Sequence, residues 1–184
     1  MFQIRIHGRG GQGVVTAAEL LSVAAFRSGR HAQAFPSFGS ERTGAPVIAF
    51  CRIDDRPIRV REPILAPDAL IVQDPTLLHQ VDVFAGLRPG GLVLLNSSRD
   101  PAELGLGELD ARMIAVPASE LAREHLGRPL PNAALLGAFA AVAGVVGLDS
   151  VAAAIRERFP TAPAEANVAA ARGAFALIEE PARA

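Results

Sequence analysis

The chain begins with a strand, a glycine-rich loop and a helix, and this order constrains its fold more than any other stretch. Phe2, Ile4 and Ile6 alternate with polar residues at the period of a β-strand, whereas apolar residues from Val14 onward recur at the period of a helix. The loop between them, residues 8–13 (GRGGQG), fits the pattern Gly-x-Gly-x-x-Gly. In this context the pattern is typical of phosphate binding by backbone amides at a helix start. It predicts an anion site; a tight turn that binds nothing is the alternative.

One part of the dinucleotide-binding fingerprint is missing. Such folds usually carry an Asp or Glu about 20 residues beyond the glycines, where it holds the ribose hydroxyls. Residues 28–35 contain neither. Arg30 could bind the phosphate of a phosphorylated ribose, but an arginine is equally expected there as a capping charge for a helix that ends at Gly29. The pattern therefore predicts a phosphate-bearing ligand and disfavours NAD.

Length and composition indicate a single domain, residues 1–184. Half of the residues are hydrophobic, yet no apolar stretch reaches the roughly 20 residues that a membrane helix needs, and no secretory signal is apparent. We therefore expect a cytoplasmic protein without membrane contact. The formal net charge of −1 gives no reason to expect a nucleic-acid partner. The high apolar content favours a surface that is covered by other protein chains.

The reactive residue types are few. All 18 basic residues are arginine, so no lysine is available for Schiff-base chemistry. Cys51 is the only cysteine, which excludes a cysteine-ligated iron–sulfur cluster or zinc site within the chain. The four histidines are scattered without metal-ligand spacing, and Cys51 lies in an apolar strand where a thiol is usually inert. We expect neither a metal site nor a catalytic residue.

Periodicity predicts the remaining elements. Strands are expected at residues 31–35, 69–73, 92–95 and 113–116, and a hairpin is expected from 47–52 and 58–61, with Arg59 and Arg61 on one face. Helices are predicted at residues 13–28, 118–126, 133–147, 151–159 and 165–179, with Asn132 and Ser150 as caps of two of them. A further helix is expected after Asp74-Pro75, with Leu77, Leu78, Val81 and Phe84 facing inward. The polar residues 96–98 end a strand where open α/β sheets bind ligands.

The loop at residues 36–46 is dense in Pro, Gly and Ser, but it also carries Phe38, Glu41 and Arg42, which a simple connector does not need. We interpret it as a functional loop. A surface loop with an unimportant ion pair is the alternative.

The two loops together resemble a known family. Residues 8–14 (GRGGQGV) and 35–47 (FPSFGSERTGAPV), with Asn132, Phe159-Pro160 and Asn167, are similar to the gamma subunit of 2-oxoacid:acceptor oxidoreductases, the pyruvate or 2-ketoisovalerate:ferredoxin oxidoreductase group. The similarity covers nearly the whole chain. Thr43 departs from it, because many members carry a second arginine or a glycine there.

The resemblance implies a three-layer α/β/α Rossmann-like domain with a mostly parallel, partly mixed sheet and a helical C-terminal segment. It also implies one subunit of an enzyme that oxidatively decarboxylates a 2-oxoacid on thiamine diphosphate and transfers the acyl group to coenzyme A. Electrons then pass through iron–sulfur clusters to ferredoxin or another acceptor. In that family the thiamine diphosphate and the clusters lie mainly in partner subunits of alpha, beta and delta type. The chain alone is then expected to be inactive.

The pattern and the resemblance together predict a set of cofactor-binding residues that serve coenzyme A and the closure of the active site: Gly8, Arg9, Gly10, Gly11, Gln12, Gly13, Ser37, Phe38, Gly39, Glu41, Arg42 and Asn132. Two alternatives stay open at this stage. One is a stand-alone nucleotide-binding oxidoreductase, which the missing acid disfavours. The other is a purely structural assembly subunit whose glycine loop contacts a neighbouring subunit rather than a phosphate.

Overall fold

The computed structural model describes residues 1–37, 43–106 and 108–179. Within these ranges six strands form one mixed sheet in the order β2-β3-β1-β4-β5-β6. β1, β4, β5 and β6 are parallel neighbours, whereas β3 runs antiparallel to both β1 and β2. The strands are β1 (Phe2–Arg9), β2 (His31–Pro36), β3 (Pro46–Asp54), β4 (Ala69–Val72), β5 (Gly91–Asn96) and β6 (Ala111–Val116).

The described ranges also contain five α-helices, four of which follow the last strand. They are α1 (Val14–Arg27), α2 (Ala118–Leu126), α3 (Asn132–Ala143), α4 (Leu148–Arg158) and α5 (Thr161–Glu179). Two short 3-10 helices, Pro75–His79 and Pro101–Leu104, follow β4 and β5. The predicted helical C-terminal segment is thus present. No helix among the described residues is both long enough and apolar enough to span a membrane.

The main core lies on one face of the sheet. The five helices contribute to a single hydrophobic cluster there, together with strand residues such as Ile4, Ile6 and Ile71. On the other face, Val72 and Leu95 form a smaller cluster with Leu77 and Val83. The third layer of the domain is therefore thin, because over β4 and β5 it consists of 3-10 helices and loops.

Helix α3 is the most deeply buried helix, and small residues let it pack closely against α5. Every residue from Asn132 to Ala140 is buried. A Cβ atom at Gly137 would overlap the backbone carbonyl of Ala171 in α5. Alanine and glycine at this contact therefore set the distance between the two helices, as the composition of this segment indicates.

The predicted hairpin is wrong in its second strand. Residues 58–61, including Arg59 and Arg61, form no strand, and β3 pairs instead with β1 and β2. The alternating pattern is real, but Pro57 and Pro63 bracket it, and β1 and β2 already occupy both edges of β3.

Three predictions about helices and their caps also need correction. The element after Asp74 is a 3-10 helix that ends at His79, and Val81 is exposed rather than facing inward. Ser150 does not cap α4, which begins at Leu148 after Gly147; the Ser150 hydroxyl instead accepts a hydrogen bond from Ser28 Oγ at 2.9 Å. Asn132 is the first residue of α3 rather than its cap, and its Oδ1 accepts from the Ala133 amide.

A buried cation lies beside a histidine on the thinly covered face of β1. Arg5 Nε donates to His7 Nε2 at 2.9 Å, and Arg5 Nη2 donates to the carbonyl oxygens of Val83 and Ala85. His7 is only 3% exposed. Burial and the charge of Arg5 lower the pKa of His7 to about 3. His7 is therefore neutral in the folded protein, with its proton on Nδ1.

This arrangement makes stability depend on pH. Unfolded His7 has its ordinary pKa of 6.5, so between about pH 6.5 and pH 3 the unfolded state binds a proton that the folded state does not. The free energy of unfolding is expected to fall as the pH is lowered through this window, by up to about 1.4 kcal/mol per pH unit. His7→Gln, which keeps an acceptor for Arg5, should flatten the slope in urea unfolding at pH 7, 6, 5 and 4. Equal slopes for both proteins would contradict the assignment.

Candidate functional site

The candidate site lies at the carboxyl end of β1, where the sheet changes its direction of growth. From β1 the chain crosses through α1 to β2 on one side, and it later returns to place β4 on the other side. Open α/β sheets bind ligands at such a point, outside the carboxyl ends of the strands. The glycine loop follows β1 directly and leads into α1, as the sequence pattern predicts.

A cavity of about 430 Å³ opens at the start of α1. The helix is preceded by Gly13 in the left-handed conformation (φ 75°), which bends the chain into the helix. Within the described residues no side chain caps this helix start, and its first turn carries no acid. Its amide groups are therefore available to an anion. The cavity is lined by Arg9, Gly10, Gly11, Gly13, Val14, Val15, Thr16, Thr43 and Val47.

The glycine loop is tied to the end of the loop that follows β2. The Gly10 amide donates to the Ala45 carbonyl at 2.9 Å, and the Gly44 amide donates back to Gly10 at 3.1 Å. Residues 37–45 connect the neighbouring antiparallel strands β2 and β3. A hairpin connection usually needs only two to five residues, so one of this length indicates a function beyond linking strands. The glycine loop therefore meets residues 43–45 of the second predicted loop at one site.

Arg9 is held by hydrogen bonds on nearly all sides. Its Nε lies 3.1 Å from Asp74 Oδ2, its Nη1 donates to the Gly44 carbonyl, and its Nη2 donates to Thr76 Oγ1 and Gln80 Oε1. This network fixes the guanidinium between the ends of β1 and β4. Arg9 is therefore mainly a clamp on the loop, with little donor capacity left for a ligand.

Asp74 is the centre of this network. Gln12 Nε2 donates to its Oδ2 at 2.9 Å, while the Thr76 amide and hydroxyl donate to its Oδ1. Burial alone would raise the pKa of Asp74, but the hydrogen bonds from Thr76 and Gln12 and the charge of Arg9 outweigh it and lower the pKa. The carboxylate therefore stays ionised and neutralises Arg9.

A second cavity, also of about 430 Å³, lies at the ends of β4 and β5. It is lined mostly by polar residues, among them Thr76, His79, Asn96, Ser97, Ser98 and Ser119. The Asn96 amide donates to Ser119 Oγ and to the Gln73 carbonyl, each at 2.8 Å, which joins β5 to the start of α2. The hydrogen bond from Arg9 to Thr76, at 2.7 Å, connects the walls of the two cavities.

The structure separates the predicted site residues into groups. Arg9, Gly10, Gly11 and Gly13 line the first cavity. Gly8, Gln12 and Asn132 support the loop from behind: a Cβ at Gly8 would meet Val14, and one at Gly13 would meet Asn132 Nδ2 at 2.7 Å. Ser37 donates its amide to the Ile48 carbonyl and lines neither cavity. The remaining predicted residues, Phe38, Gly39, Glu41 and Arg42, lie outside the described residues.

Sequence reasoning missed the second function of Asp74 and the contributions of Thr76 and Gln80. The sequence predicts Asp74 as a helix cap, and it does cap the 3-10 helix. Its contact with Arg9 depends on β4 lying beside β1, which local patterns do not reveal. No local pattern indicates Gln73 either: its side chain is buried, and its carboxamide has no hydrogen-bond partner among the described residues.

The described residues contain little that could carry out redox or nucleophilic chemistry. No group of three or more His, Cys, Asp or Glu within the described ranges could hold a metal ion. Cys51 is fully buried in β3, and burial raises its pKa to about 12, so its thiol is inert. Among the described residues, the start of α1 thus has uncapped amide groups beside a cavity, and Cys51 offers no reactive thiol.

Comparisons with known proteins identify the family of the chain. The sequence profile of the pyruvate ferredoxin/flavodoxin oxidoreductase family matches residues 3–177. The common gamma subunit of the pyruvate/ketoisovalerate oxidoreductases of Thermococcus kodakarensis is 50% identical over 177 residues, which cover 95% of this chain and 96% of that protein. The crystal structure of the pyruvate oxidoreductase subunit PORC from Thermotoga maritima is 35% identical, covers 95% of each chain and has a TM-score of 0.83.

A longer protein contains the same fold. The 2-oxoglutarate:ferredoxin oxidoreductase of Magnetococcus marinus, solved with 2-oxoglutarate, coenzyme A and succinyl-CoA bound, has a TM-score of 0.78 at 18% identity. The match covers 97% of this chain and 31% of the longer chain. At 18% identity the likeness shows the fold alone. The predicted α/β fold with a partly mixed sheet is confirmed by the Thermotoga structure. On its profile match and the identity of its relatives, the chain belongs to the pyruvate ferredoxin/flavodoxin oxidoreductase family and is a gamma subunit of a 2-oxoacid oxidoreductase.

Proposed function

We propose that this subunit binds a phosphate group of coenzyme A in the first cavity and helps to close the active site of a thiamine-diphosphate-dependent 2-oxoacid oxidoreductase. In this proposal partner subunits of alpha, beta and delta type hold the thiamine diphosphate and the iron–sulfur clusters and pass electrons to ferredoxin or another acceptor. The observation that carries the proposal is the uncapped start of α1, which opens into a cavity with no acid in its first turn.

The residues that are present fit a phosphate. Amide groups at a helix start donate to phosphate oxygens, and the helix dipole favours the negative charge. A Cβ atom built at Gly11 meets no other atom within 4 Å, so the backbone is approachable from the cavity. The hydroxyls of Thr16 and Thr43 line the same space and add possible donors. Coenzyme A carries three phosphates and a long flexible arm, so it can place a phosphate here while its thiol reaches an active site elsewhere.

Coenzyme A is favoured over a dinucleotide for two reasons. The region after α1 lacks the acid that would hold a ribose, and Arg30 forms an ion pair with Asp55 at 3.1 Å rather than facing the cavity. A fold of the same kind also occurs in an oxidoreductase that was solved with coenzyme A bound. The resemblance of residues 35–47 to the family motif supports roles for Glu41 and Arg42 at a subunit interface or near the thiamine cofactor.

A purely structural role is the competing function, and one observation favours it. Several donors of the glycine loop are already used within the chain, since Gly10 bonds to Ala45 and Arg9 is held by Asp74, Thr76 and Gln80. In that case a neighbouring subunit would fill the first cavity.

Gly11→Asp in the assembled complex tests the proposal. A carboxylate at the mouth of the cavity should repel phosphate, so the apparent affinity for coenzyme A is expected to fall by about tenfold or more. Gly11→Asn is the matched control, because asparagine has the same shape as aspartate and meets the same backbone strain at the φ of 93°, but carries no charge. The measurement is a calorimetric or kinetic titration of each complex with coenzyme A. Equal affinities for the two variants, with full assembly, would favour the structural role.

A further inference from the structure

The segment between β3 and β4 exposes a sequence with the alternation of a β-strand. Residues 57–63 (PIRVREP) form neither helix nor strand, and Arg59, Val60, Arg61 and Glu62 are exposed. Apolar and basic residues nevertheless alternate from Ile58 to Arg61, at the period of a β-strand. The segment thus has the sequence of a strand but pairs with no strand in the part of the chain that the structure describes.

The segment is anchored at its C-terminal end. The Glu62 carbonyl accepts a hydrogen bond from Arg52 Nη2 at 2.6 Å, and Ile64 is only 2% exposed. Arg52 itself is buried on β3, where Gln3 and Gln33 accept hydrogen bonds from its guanidinium. The C-terminal end of the segment is therefore fixed beside the sheet face that carries no α-helix.

Its backbone groups are almost entirely unused. Apart from the Glu62 carbonyl, no main-chain N–H or C=O of residues 57–63 bonds to another described residue. Exposed backbone groups in a strand-like sequence are a template for pairing with another chain. The two prolines set the limits of such a pairing, because proline has no N–H to donate.

Charge and apolar surface indicate the kind of partner. Arg56, Arg59 and Arg61 form no ion pair with any described residue, and Glu62 is the only acid within residues 56–63. Val60 is 40% exposed and nearby Leu65 is 78% exposed. The surface is therefore basic with apolar side chains between the charges, and it complements an acidic segment that also carries apolar residues.

We infer that residues 58–62 form a β-strand pair with an acidic, extended segment of another subunit of the same oxidoreductase. Main-chain hydrogen bonds would supply the affinity. Arg59 and Arg61, which share one side of a strand, would select the acidic side chains. The inference rests on the proposed function, since it requires that the chain acts within a multi-subunit enzyme.

Hydrogen exchange of the wild-type complex is the first test. The amides of residues 58–62 should exchange rapidly in the isolated subunit and at least about tenfold more slowly in the purified, active oxidoreductase. Equal exchange in the two samples would overturn the inference and leave the proposed function intact. Failure of the wild-type chain to assemble with 2-oxoacid oxidoreductase subunits would overturn both. Slow exchange in an isolated dimer of this chain would show that a second copy is the partner, and would also overturn the inference.

Val60→Pro tests the backbone contribution. The Val60 amide has no hydrogen-bond partner among the described residues, so the isolated variant should keep the wild-type melting temperature, whereas its affinity for the partner subunits should fall by about tenfold or more. Val60→Thr is the control, because it keeps the amide and the branched shape. Wild-type affinity of a folded Val60→Pro variant would contradict strand pairing.

Charge reversal tests the acidic partner. Arg59→Glu combined with Arg61→Glu should weaken assembly, and the difference from wild type should shrink at high salt. The control is Arg112→Glu combined with Arg128→Glu, which reverses two exposed arginines elsewhere on the chain. If both double variants assemble equally well, the acidic partner is excluded.

Discussion

Gly137→Ala is expected to destabilise the protein by about 3 kcal/mol, near the upper end of the range for overpacked cores. The new methyl group would overlap the backbone carbonyl of Ala171, and this oxygen can move only if α5 shifts as a whole. Alanine normally gains about 0.5–1 kcal/mol over glycine within a helix. Here the steric cost exceeds that gain, because both helices lie in the main core. Urea unfolding followed by circular dichroism measures the difference.

Gly173→Ala is the matched control for this prediction. Gly173 lies in α5, and its added Cβ would meet Leu121 Cδ2 at 3.5 Å, an ordinary van der Waals distance. This variant should therefore be as stable as the wild type or up to about 1 kcal/mol more stable. If Gly137→Ala is also neutral, the close approach of α3 to α5 does not determine the packing of the core.

The isolated chain is expected to show no oxidoreductase turnover. Its only thiol, Cys51, is buried, and its described residues contain no metal-ligand cluster. An iron–sulfur cluster needs several thiolates, and the chain has one cysteine. The isolated chain is therefore expected to be completely inactive, not merely slower than the complex.

The test supplies the purified chain with a 2-oxoacid, coenzyme A and an artificial electron acceptor, and then adds the partner subunits. Activity should appear only after the addition. A control preparation of the partner subunits without this chain shows how much it contributes to turnover. Reduction of the acceptor by the chain alone would instead support the alternative that the chain is a stand-alone oxidoreductase.

The elements that sequence patterns predict well are those whose partners are set by local periodicity. β1, α1 and the buried strands β4 and β5 occur where apolar alternation or continuous apolar runs place them. The glycine loop also lies where the motif predicts, because strand, turn and helix follow one another directly. Residues 58–61 are the exception: their alternation is that of a strand, but both edges of β3 are already paired.

The site itself depends on contacts between residues that are distant in the sequence. Arg9 and Asp74 are 65 residues apart, and they meet only because β1 and β4 are neighbours. Asn132 likewise supports Gly13 from the start of α3. Neither contact follows from spacing or composition. The motif thus locates the loop, whereas the sheet order determines which side chains hold it in place.

β3 lies between β1 and β2, so the first two strands of the chain run parallel without touching. During synthesis β2 has no neighbour until residues 46–54 emerge, and the hairpin of β2 and β3 must then insert beside β1. The pairing of Phe2 with Ile53 closes a long stretch of chain, which slows folding relative to a local hairpin. On the ribosome the edges of β1 and β2 that pair with β3 therefore stay unpaired until Asp54 is available, and unpaired strand edges make a nascent chain prone to aggregation.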